Sequence, residues 1–569
     1  MSKKIPVHLQ QYIAKQHYRQ YTPINHAVWR FVMRQNHFYL KNIAHSAYVK
    51  GLKDSGINIE SIPRVEEMNE KLAQVGWGAV AIDGLIPGAA FYSFLENRIL
   101  PIATDIRKIE NIAYTPAPDI IHEAAGHAPI LLDPSYRNFV KKIGEMGAKA
   151  LSSKEKLKVF KAVRQLTIVA EDPKSTPEQV REAENRVAEA RKKVKGLTEA
   201  DKVSRLFWWT VEYGLIGDLD YPKIYGAGLL SSVGESQSCL ADDVRKIPFS
   251  VEGCIHTPYD VTKPQPQLFV CSSFAELTAE IDKFAETMAF RKGGTESLEK
   301  ALRTEAIATI VFSSGLQVTG TLGEILKDEG EEAVYFRTNG PTALSFDDIQ
   351  LTGHSTETHR KGFGTPIGRL AHGIVLEDCK PEQLHALGIY EDSPTSLCFE
   401  SGIKVEGIVT KILLAEGKPI LISFKDCTVR HKNQLLFKPD WGTFDMAVGA
   451  GITSVFAGAA DPYSFFDMQP AMPLEEETVR DCETELESLY ESIRQIRESS
   501  NWNASEVGKI TALLDDNYPK EWLLRLEILE LYQLHDAGHS NVQGLIRTLH
   551  EMGWGPSIKQ LIQRGLELI

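Results

Sequence analysis

The sequence predicts a multidomain chain, mainly α-helical in its first half, mostly β from about residue 296, and helical again from about residue 472. Three observations predict this order. At 569 residues the chain exceeds one ordinary hydrophobic core, so two to four domains are expected. Up to about residue 295 apolar residues recur at helical spacing. Beyond it, runs such as AVYFRTNGPTALSF and IKVEGIVTKILLAEGKPILISF are β-rich and are punctuated by the turn pairs Asn339-Gly340 and Glu416-Gly417. After ADPYSFFDMQPAMPLEEET the Leu- and Glu-rich segments return to helical periodicity. The expected division is 1–295, 296–471 and 472–569, the middle part being sandwich- or small-barrel-like.

Taken in order, YTPINHAVWRFVMRQ opens a helix, with Thr22 before Pro23 as the start signal. The stretch 76–101, GWGAVAIDGLIPGAAFYSFLENRILP, reads as a short strand, a loop through Gly84, Pro87 and Gly88, and a helix near Phe91. It lacks the G-x-x-x-x-G-K-[ST] arrangement of a phosphate-binding loop. Residues 150–200 read as a charged helical hairpin, its second helix capped by Thr176, Pro177 and Gln179 and carrying a narrow stripe of Val180, Ala183, Val187, Ala190 and Val194. A solvated structural hairpin is the expected role. Glu212, in FWWTVEYG, falls on a helix or helix-like turn, and the small residues of the following YGAGLLSSVGE suit a pocket wall.

Composition narrows the function. Hydrophobic residues make up 43% and charged residues 24%, as in soluble globular proteins, and a net charge of -13 argues against a nucleic-acid partner, which needs a basic footprint. No stretch has the length of a signal-peptide core or a membrane span, so a cytoplasmic protein is expected. Seven scattered cysteines with no C-x-x-C pair read as reduced thiols.

The chemistry centres on PDIIHEAAGH. His122 and His127 are five residues apart, about 140° around a helix of 3.6 residues per turn, so a regular helix cannot aim both imidazoles one way. Gly126 suggests that the helix ends or distorts there. Two imidazoles and the distant carboxylate of Glu212 would bind one face of Fe(II) and leave adjacent positions open. Spacing alone equally admits zinc or a hydrogen-bonded structural pair. His535 and His539, four apart in LYQLHDAGHS, offer a second pair on a helix, but Gly538 and the lack of a third ligand favour an ordinary helix end.

YTPAPDIIHEAAGHAPILLDP, together with FWWTVEYGL and YGAGLLSSVGE, resembles the pterin-dependent aromatic amino acid hydroxylases in motif order and spacing, most closely the bacterial phenylalanine hydroxylases. The resemblance covers roughly residues 20–295. It implies a mainly helical catalytic domain with a small sheet component around a deep iron pocket, with His122, His127 and Glu212 as both the iron ligands and the catalytic positions. It also implies that Arg107 holds the substrate carboxylate, that Asp119 orients Arg107, and that Thr115 and Ser231 lie near the same group. Pro118 and Trp208 would wall the aromatic ring. Phe91 would stack on the pterin, Gly84 to Gly88, including Leu85 and Ile86, would form the pterin loop, and Glu123 would reach the pterin through water. On the residues alone, Arg107 and Asp119 would be a surface ion pair, Phe91 a core residue and Glu123 a helix-surface charge. Val261, in PYDVTK, stands where tyrosine hydroxylases carry Asp, and Trp208 departs from the Phe of tryptophan hydroxylases. Together they favour L-phenylalanine.

The reaction so implied converts L-phenylalanine to L-tyrosine with O2 and a tetrahydropterin, tetrahydrobiopterin or a relative, at Fe(II). The protein would position the ring and exclude water. No regulatory domain is expected before the catalytic motifs, and the hairpin at 150–200 and the last 270 or so residues depart from the family's pattern. The competing expectations are hydroxylation of tryptophan or another aromatic compound, a zinc hydrolase, and an inactive hydroxylase-like binding module. Oligomeric state and the role of residues 296–569 are not encoded in any recognisable motif.

Overall fold

The computed structural model describes residues 5–82, 84, 86–112, 119–171, 175–261, 263–468, 480–499 and 501–569. Thr22 caps the Pro23–Ile43 helix: its hydroxyl accepts from the Asn25 amide, and the Asn25 side chain accepts from the Thr22 amide. This long helix is buried over most of its length, through Ala27, Val28, Trp29 and Val32. Strand β1 (Gly78–Ile82) and the Gly88–Glu96 helix follow the strand-loop-helix pattern read in 76–101, and strand β2 (Ile99–Ala103), which that reading did not include, completes a parallel β-α-β unit. A second small sheet comprises β3 (Leu215–Ile216), β4 (Lys223–Ile224), β5 (Arg245–Pro248) and β6 (Gln267–Cys271), in the order β4-β3-β6-β5. Helices supply the remaining walls of this half.

The expected hairpin consists of the Lys154–Glu171 and Pro177–Lys192 helices, the second with the Thr176/Gln179 capping box. Of its apolar stripe only Ala183 and Val187 are buried. The rest of its surface carries local ion pairs such as Glu182–Arg186 and Glu189–Lys192, the pattern of a solvated element.

The change to β-structure comes after one more helix, Gly294–Thr304, so strands begin at Ile307. Strands β7 (Ile307–Phe312), β8 (Gln317–Lys327), β9 (Ala333–Phe346) and β10 (Ile349–Gln350), with β11 (Gly364–Pro366) on β9, make one antiparallel sheet. Strands β12 (Pro394–Cys398), β13 (Ile403–Ala415), β14 (Lys418–His431) and β15 (Gln434–Phe437), with β16 (Phe444–Ala447) on β14, make a second. Strand β17 (Ile452–Ala457) returns to pair with β7. Glu416 and Gly417 form the predicted two-residue turn, both with positive φ (51° and 79°). Asn339-Gly340 does not turn the chain. Strand β9 runs through it and pairs with β8 on both sides, and Gly340 (φ 73°) sits in a bulge where the register shifts.

The C-terminal helices lie on the first half. Glu485–Ser499, Ala504–Asn517, Leu523–His535, Ser540–Glu551 and Pro556–Leu566 bury Tyr490, Ile493, Leu514, Leu524 and Ile528 in the same apolar core as Trp29 and Val32. Arg30 and Glu527 pair at the centre of that contact, with side chains 1% and 4% exposed. His535 and His539 are not on one helix: His535 ends one and stacks on Trp502, while His539 caps the next and stacks on Tyr532. Each is an ordinary helix-end residue, as the sequence favours. Among the described residues no helix is long and apolar enough to cross a membrane.

Candidate active site

Two wide helical turns carry the three candidate ligands. Over Ile121–His127 the backbone is wound as a π-turn, with the Ala128 amide bonded to the Glu123 carbonyl five residues back (3.2 Å). Over Trp208–Glu212 the same geometry recurs, and the Tyr213 amide bonds to the Trp208 carbonyl (2.9 Å). The wider turn brings residues five apart onto one face, which resolves the misfit of His122 and His127 to a regular helix. The helix distorts, as the sequence suggests, but Gly126 serves a different purpose from the one expected. Its φ is not positive; a Cβ there would stand 2.6 Å from the Ala227 carbonyl oxygen. Across the site, a Cβ on Gly226 would stand 2.4 Å from the Glu212 carbonyl oxygen. The segment 226–228 therefore packs its bare backbone against both π-turns at once and draws them together.

The result is a tight cluster. His122 Nε2 and His127 Nε2 are 3.1 Å apart, and the two Glu212 carboxylate oxygens lie 3.3 Å from His122 and 3.2 Å from His127. His127 and Glu212 are buried and His122 is partly so. Ser231 fixes the orientation of His122: its hydroxyl donates to the Ala227 carbonyl (2.8 Å) and stands 3.1 Å from His122 Nδ1. It is placed to accept a hydrogen bond from Nδ1–H, which directs Nε2 towards Glu212. Burial opposes a charge on His122, but the Glu212 carboxylate outweighs it and its pKa is pushed up to about 9. Burial likewise opposes ionisation of Glu212, yet the two imidazoles hold it well below the carboxylate range. Glu123 is also buried, 4.0 Å from His127, and burial raises its pKa despite the two histidines. Its Oε2 has no hydrogen-bond partner among the described residues.

These donors fit a divalent cation. Two imidazole nitrogens and a carboxylate converge at separations suited to one coordination sphere, a neighbouring residue orients one ring, and a further carboxyl oxygen nearby awaits a partner. His122, Glu123 and His127 also lie within reach of one ion, but the Glu212 oxygens stand closer to both imidazoles.

Arg107 and Asp119 form a buried pair rather than a surface one. Asp119 accepts from Arg107 Nε and Nη2 (2.8 Å each), from the Arg107 amide (3.0 Å) and from the His122 amide (3.0 Å). Burial alone would raise the Asp119 pKa, but Arg107 lowers it below the ordinary value. Asp119 thus ties the guanidinium to the start of the His122 turn. Arg107 Nη1 points towards the Ser231 carbonyl at 3.5 Å, leaving N–H groups of the fork for another acceptor.

Trp208 is held in an aromatic stack, with Tyr259 on one partner ring (4.4 Å, 11°) and Tyr213 on the other (4.5 Å, 23°). Sequence reading gave neither tyrosine a role, although each lies within a motif it used. Phe91 is partly buried and meets Phe207 edge-on at 5.6 Å, Gly84 has positive φ (59°), and Ile86 is buried. Val261 is exposed, at 42%. Leu85, Thr115 and Pro118 lie outside the described residues.

Comparison with known proteins adds the family. The sequence profile described as "Biopterin-dependent aromatic amino acid hydroxylase" matches residues 10–168 and 195–293. The break between the two segments falls within the helical hairpin. The phenylalanine-4-hydroxylase of Mesorhizobium japonicum is 28% identical over 260 residues, 45% of this chain and 78% of that one. That of Pseudomonas aeruginosa is 29% identical over 272 residues, 47% and 87% of the respective chains. Among solved structures, Chromobacterium violaceum phenylalanine hydroxylase with bound iron(III) and 7,8-dihydrobiopterin matches 49% of this chain and 86% of its own, at 26% identity and a TM-score of 0.39. The sequence matches and the motifs thus agree that residues 10–168 and 195–293 of this chain are similar to the biopterin-dependent aromatic amino acid hydroxylase family.

Proposed function

We propose that the chain hydroxylates L-phenylalanine to L-tyrosine, using O2 and a tetrahydropterin at Fe(II) held by His122, His127 and Glu212. The observation that carries this reading is the convergence of the two imidazoles on the Glu212 carboxylate, at 3.1–3.3 Å, beside a buried Arg107–Asp119 pair. The similarity of the surrounding sequence to the biopterin-dependent hydroxylases supports the cofactors, and the sequence relatives named phenylalanine-4-hydroxylase support the substrate.

When bound, iron and pterin supply the activation of O2. The protein's own residues bind and orient. Asp119 occupies one edge of the Arg107 guanidinium, and the N–H groups of its other edge donate to the substrate carboxylate. Because Asp119 also accepts from the His122 amide, the carboxylate anchor and the metal ligand are set on one rigid unit. Trp208, held by its stacks with Tyr213 and Tyr259 on the same π-turn as Glu212, walls the substrate ring. Ser231 holds the His122 ring through Nδ1. Gly84 and Ile86, on the β1-to-helix connection, and Phe91, in the first turn of that helix, form the pterin side, and the Glu123 carboxyl faces it through water. The cysteines, in no disulfide among the described residues, fit a reducing compartment such as the cytoplasm.

The test incubates Fe(II)-loaded chain with L-phenylalanine, a tetrahydropterin and O2 and measures tyrosine, beside Glu212→Ala. Tyrosine from the parent and a loss of at least a hundredfold in the variant are expected. Iron-loaded, folded parent that yields no tyrosine but oxidises tryptophan would overturn the substrate. Parent that consumes neither would overturn the reaction.

A further inference from the structure

A second group of metal-binding side chains lies in the β-rich half, away from the hydroxylase site. His354 Nδ1 and His359 Nε2 are 3.2 Å apart, and Asp445 Oδ2 lies 3.9 Å from each. All three residues are less than a tenth exposed. The carboxylate oxygen is too far from either imidazole for a hydrogen bond, yet equally far from both. In the plane of the three donor atoms, the point equidistant from them lies about 2.1 Å from each, which is a metal-ligand bond length for imidazole and carboxylate.

The surroundings hold the donors in place. The His354 carbonyl accepts from the Leu344 amide and the His359 carbonyl from the Thr342 amide, so β9 fixes the backbone under both rings (3.0 and 3.2 Å). The rings lie nearly parallel, 14° apart, and Phe363 meets His359 edge-on. Asp445 sits on β16, and its other oxygen, Oδ1, accepts from the Ser423 hydroxyl on β14. The histidines thus come from the connection between β10 and β11 in one sheet, and the carboxylate from the other sheet.

We propose that His354, His359 and Asp445 bind one divalent transition-metal ion of the zinc class, which ties the two β-sheets together. The spread of the donors selects this class. Three donors on an octahedral face at bond lengths near 2.1 Å stand about 3.0 Å apart, and at a tetrahedral centre about 3.4 Å. The His354–His359 separation, 3.2 Å, matches those of the hydroxylase cluster (3.1–3.3 Å), but the two to Asp445, 3.9 Å each, are wider and suit a centre of low coordination number. The burial of all three side chains and their origin in two sheets make it a structural tie.

The experiment uses the full chain carrying His122→Ala, so that the hydroxylase cluster does not compete. After chelation and dialysis the protein is loaded with Zn2+ and assayed for bound metal, and separately with Co2+ for its visible spectrum. One tightly held zinc per chain, a rise in Tm on loading, and the intense visible bands of low-coordinate cobalt are expected. Adding Asp445→Asn, which keeps the side-chain shape, or His359→Gln should abolish the bound equivalent and the Tm rise. No bound zinc and no cobalt spectrum in the His122→Ala chain would overturn the proposal without reliance on the further variants. An equivalent that survives both would overturn it as well, by placing the ion elsewhere.

Discussion

Replacing Glu527 by Ala is expected to cost about 3–5 kcal/mol, because it strands a buried arginine. Glu527 accepts from Arg30 Nε at 2.9 and 3.0 Å and from Nη2 at 2.5 Å, and Arg497 approaches it at 3.6 Å. Burial would raise the pKa of Glu527, but these arginines hold it below the ordinary range. In Glu527→Ala the Arg30 guanidinium keeps only the Glu60 carbonyl, at 3.1 Å, while remaining almost fully buried. The cost is a large part of the 5–15 kcal/mol that stabilises a typical domain. Urea unfolding reports it directly, since Trp29 and Trp522 lie in the shared core and Trp522 meets Phe31 edge-on at 5.3 Å. Tryptophan fluorescence should shift its midpoint strongly to lower urea. The paired replacement Arg30→Met with Glu527→Leu removes both charges at similar volume, and it should come within about 1–2 kcal/mol of the parent. A loss below about 1 kcal/mol for Glu527→Ala would refute the reasoning. So would a paired variant as unstable as the single one, since the penalty would then not be an unpaired charge.

Three other perturbations follow from the same structure. Gly126→Ala forces a methyl to within 2.6 Å of the Ala227 carbonyl and should part the two π-turns, so that bound iron falls several-fold while far-UV circular dichroism is unchanged; full iron content would count against it. Asp119→Asn frees the Arg107 fork from its charged partner, and KM for phenylalanine should rise about tenfold, or about 1.4 kcal/mol, with metal content retained; an unchanged KM would remove Asp119 from substrate placement. Burial first, and then the charges of Arg494, Arg30 and Arg64, lower the His26 pKa to about 3 from an unfolded value near 6.5. Between these values the unfolded chain binds more protons, so this contribution to stability is complete above about pH 6.5 and is lost as pH falls towards 3. The slope is about 1.4 kcal/mol per unit, and His26→Asn, which can still accept from the Ile62 amide, should flatten it; an acid limb identical to the parent's would contradict the assignment.

What could be read from the sequence was what neighbouring residues decide. The Thr22 and Thr176 caps, the strand-loop-helix order within 76–101 and the Glu416-Gly417 turn depend on side chains within a few positions of one another, whereas the parallel pairing of β1 with β2 joins residues 21 apart and was not read. Asn339-Gly340 has the same local signal as a turn, but β8 offers partners on both sides of it, and the ladder converts it to a bulge. The C-terminal helices are legible as helices. Their seat on the Pro23–Ile43 helix depends on Arg30 meeting Glu527, a pairing nearly the whole chain apart, which no window of sequence contains.

The two histidine pairs show where spacing stops being informative. HEAAGH and HSTETH both place histidines five apart, and in both the imidazole nitrogens end near 3 Å from one another. The first pair achieves this by widening a helix into a π-turn, a distortion stabilised by the bare backbone of 226–228. The second achieves it on an inter-strand connection, where β9 amides hold the two carbonyls. Five-residue spacing is therefore neither a helical nor a loop signature. What converts it into a converging pair is a contact from a distant segment, and in each case a third, distant residue, Glu212 or Asp445, supplies the carboxylate. A histidine pair that a regular helix cannot aim thus directs attention to what packs against it rather than away from metal chemistry.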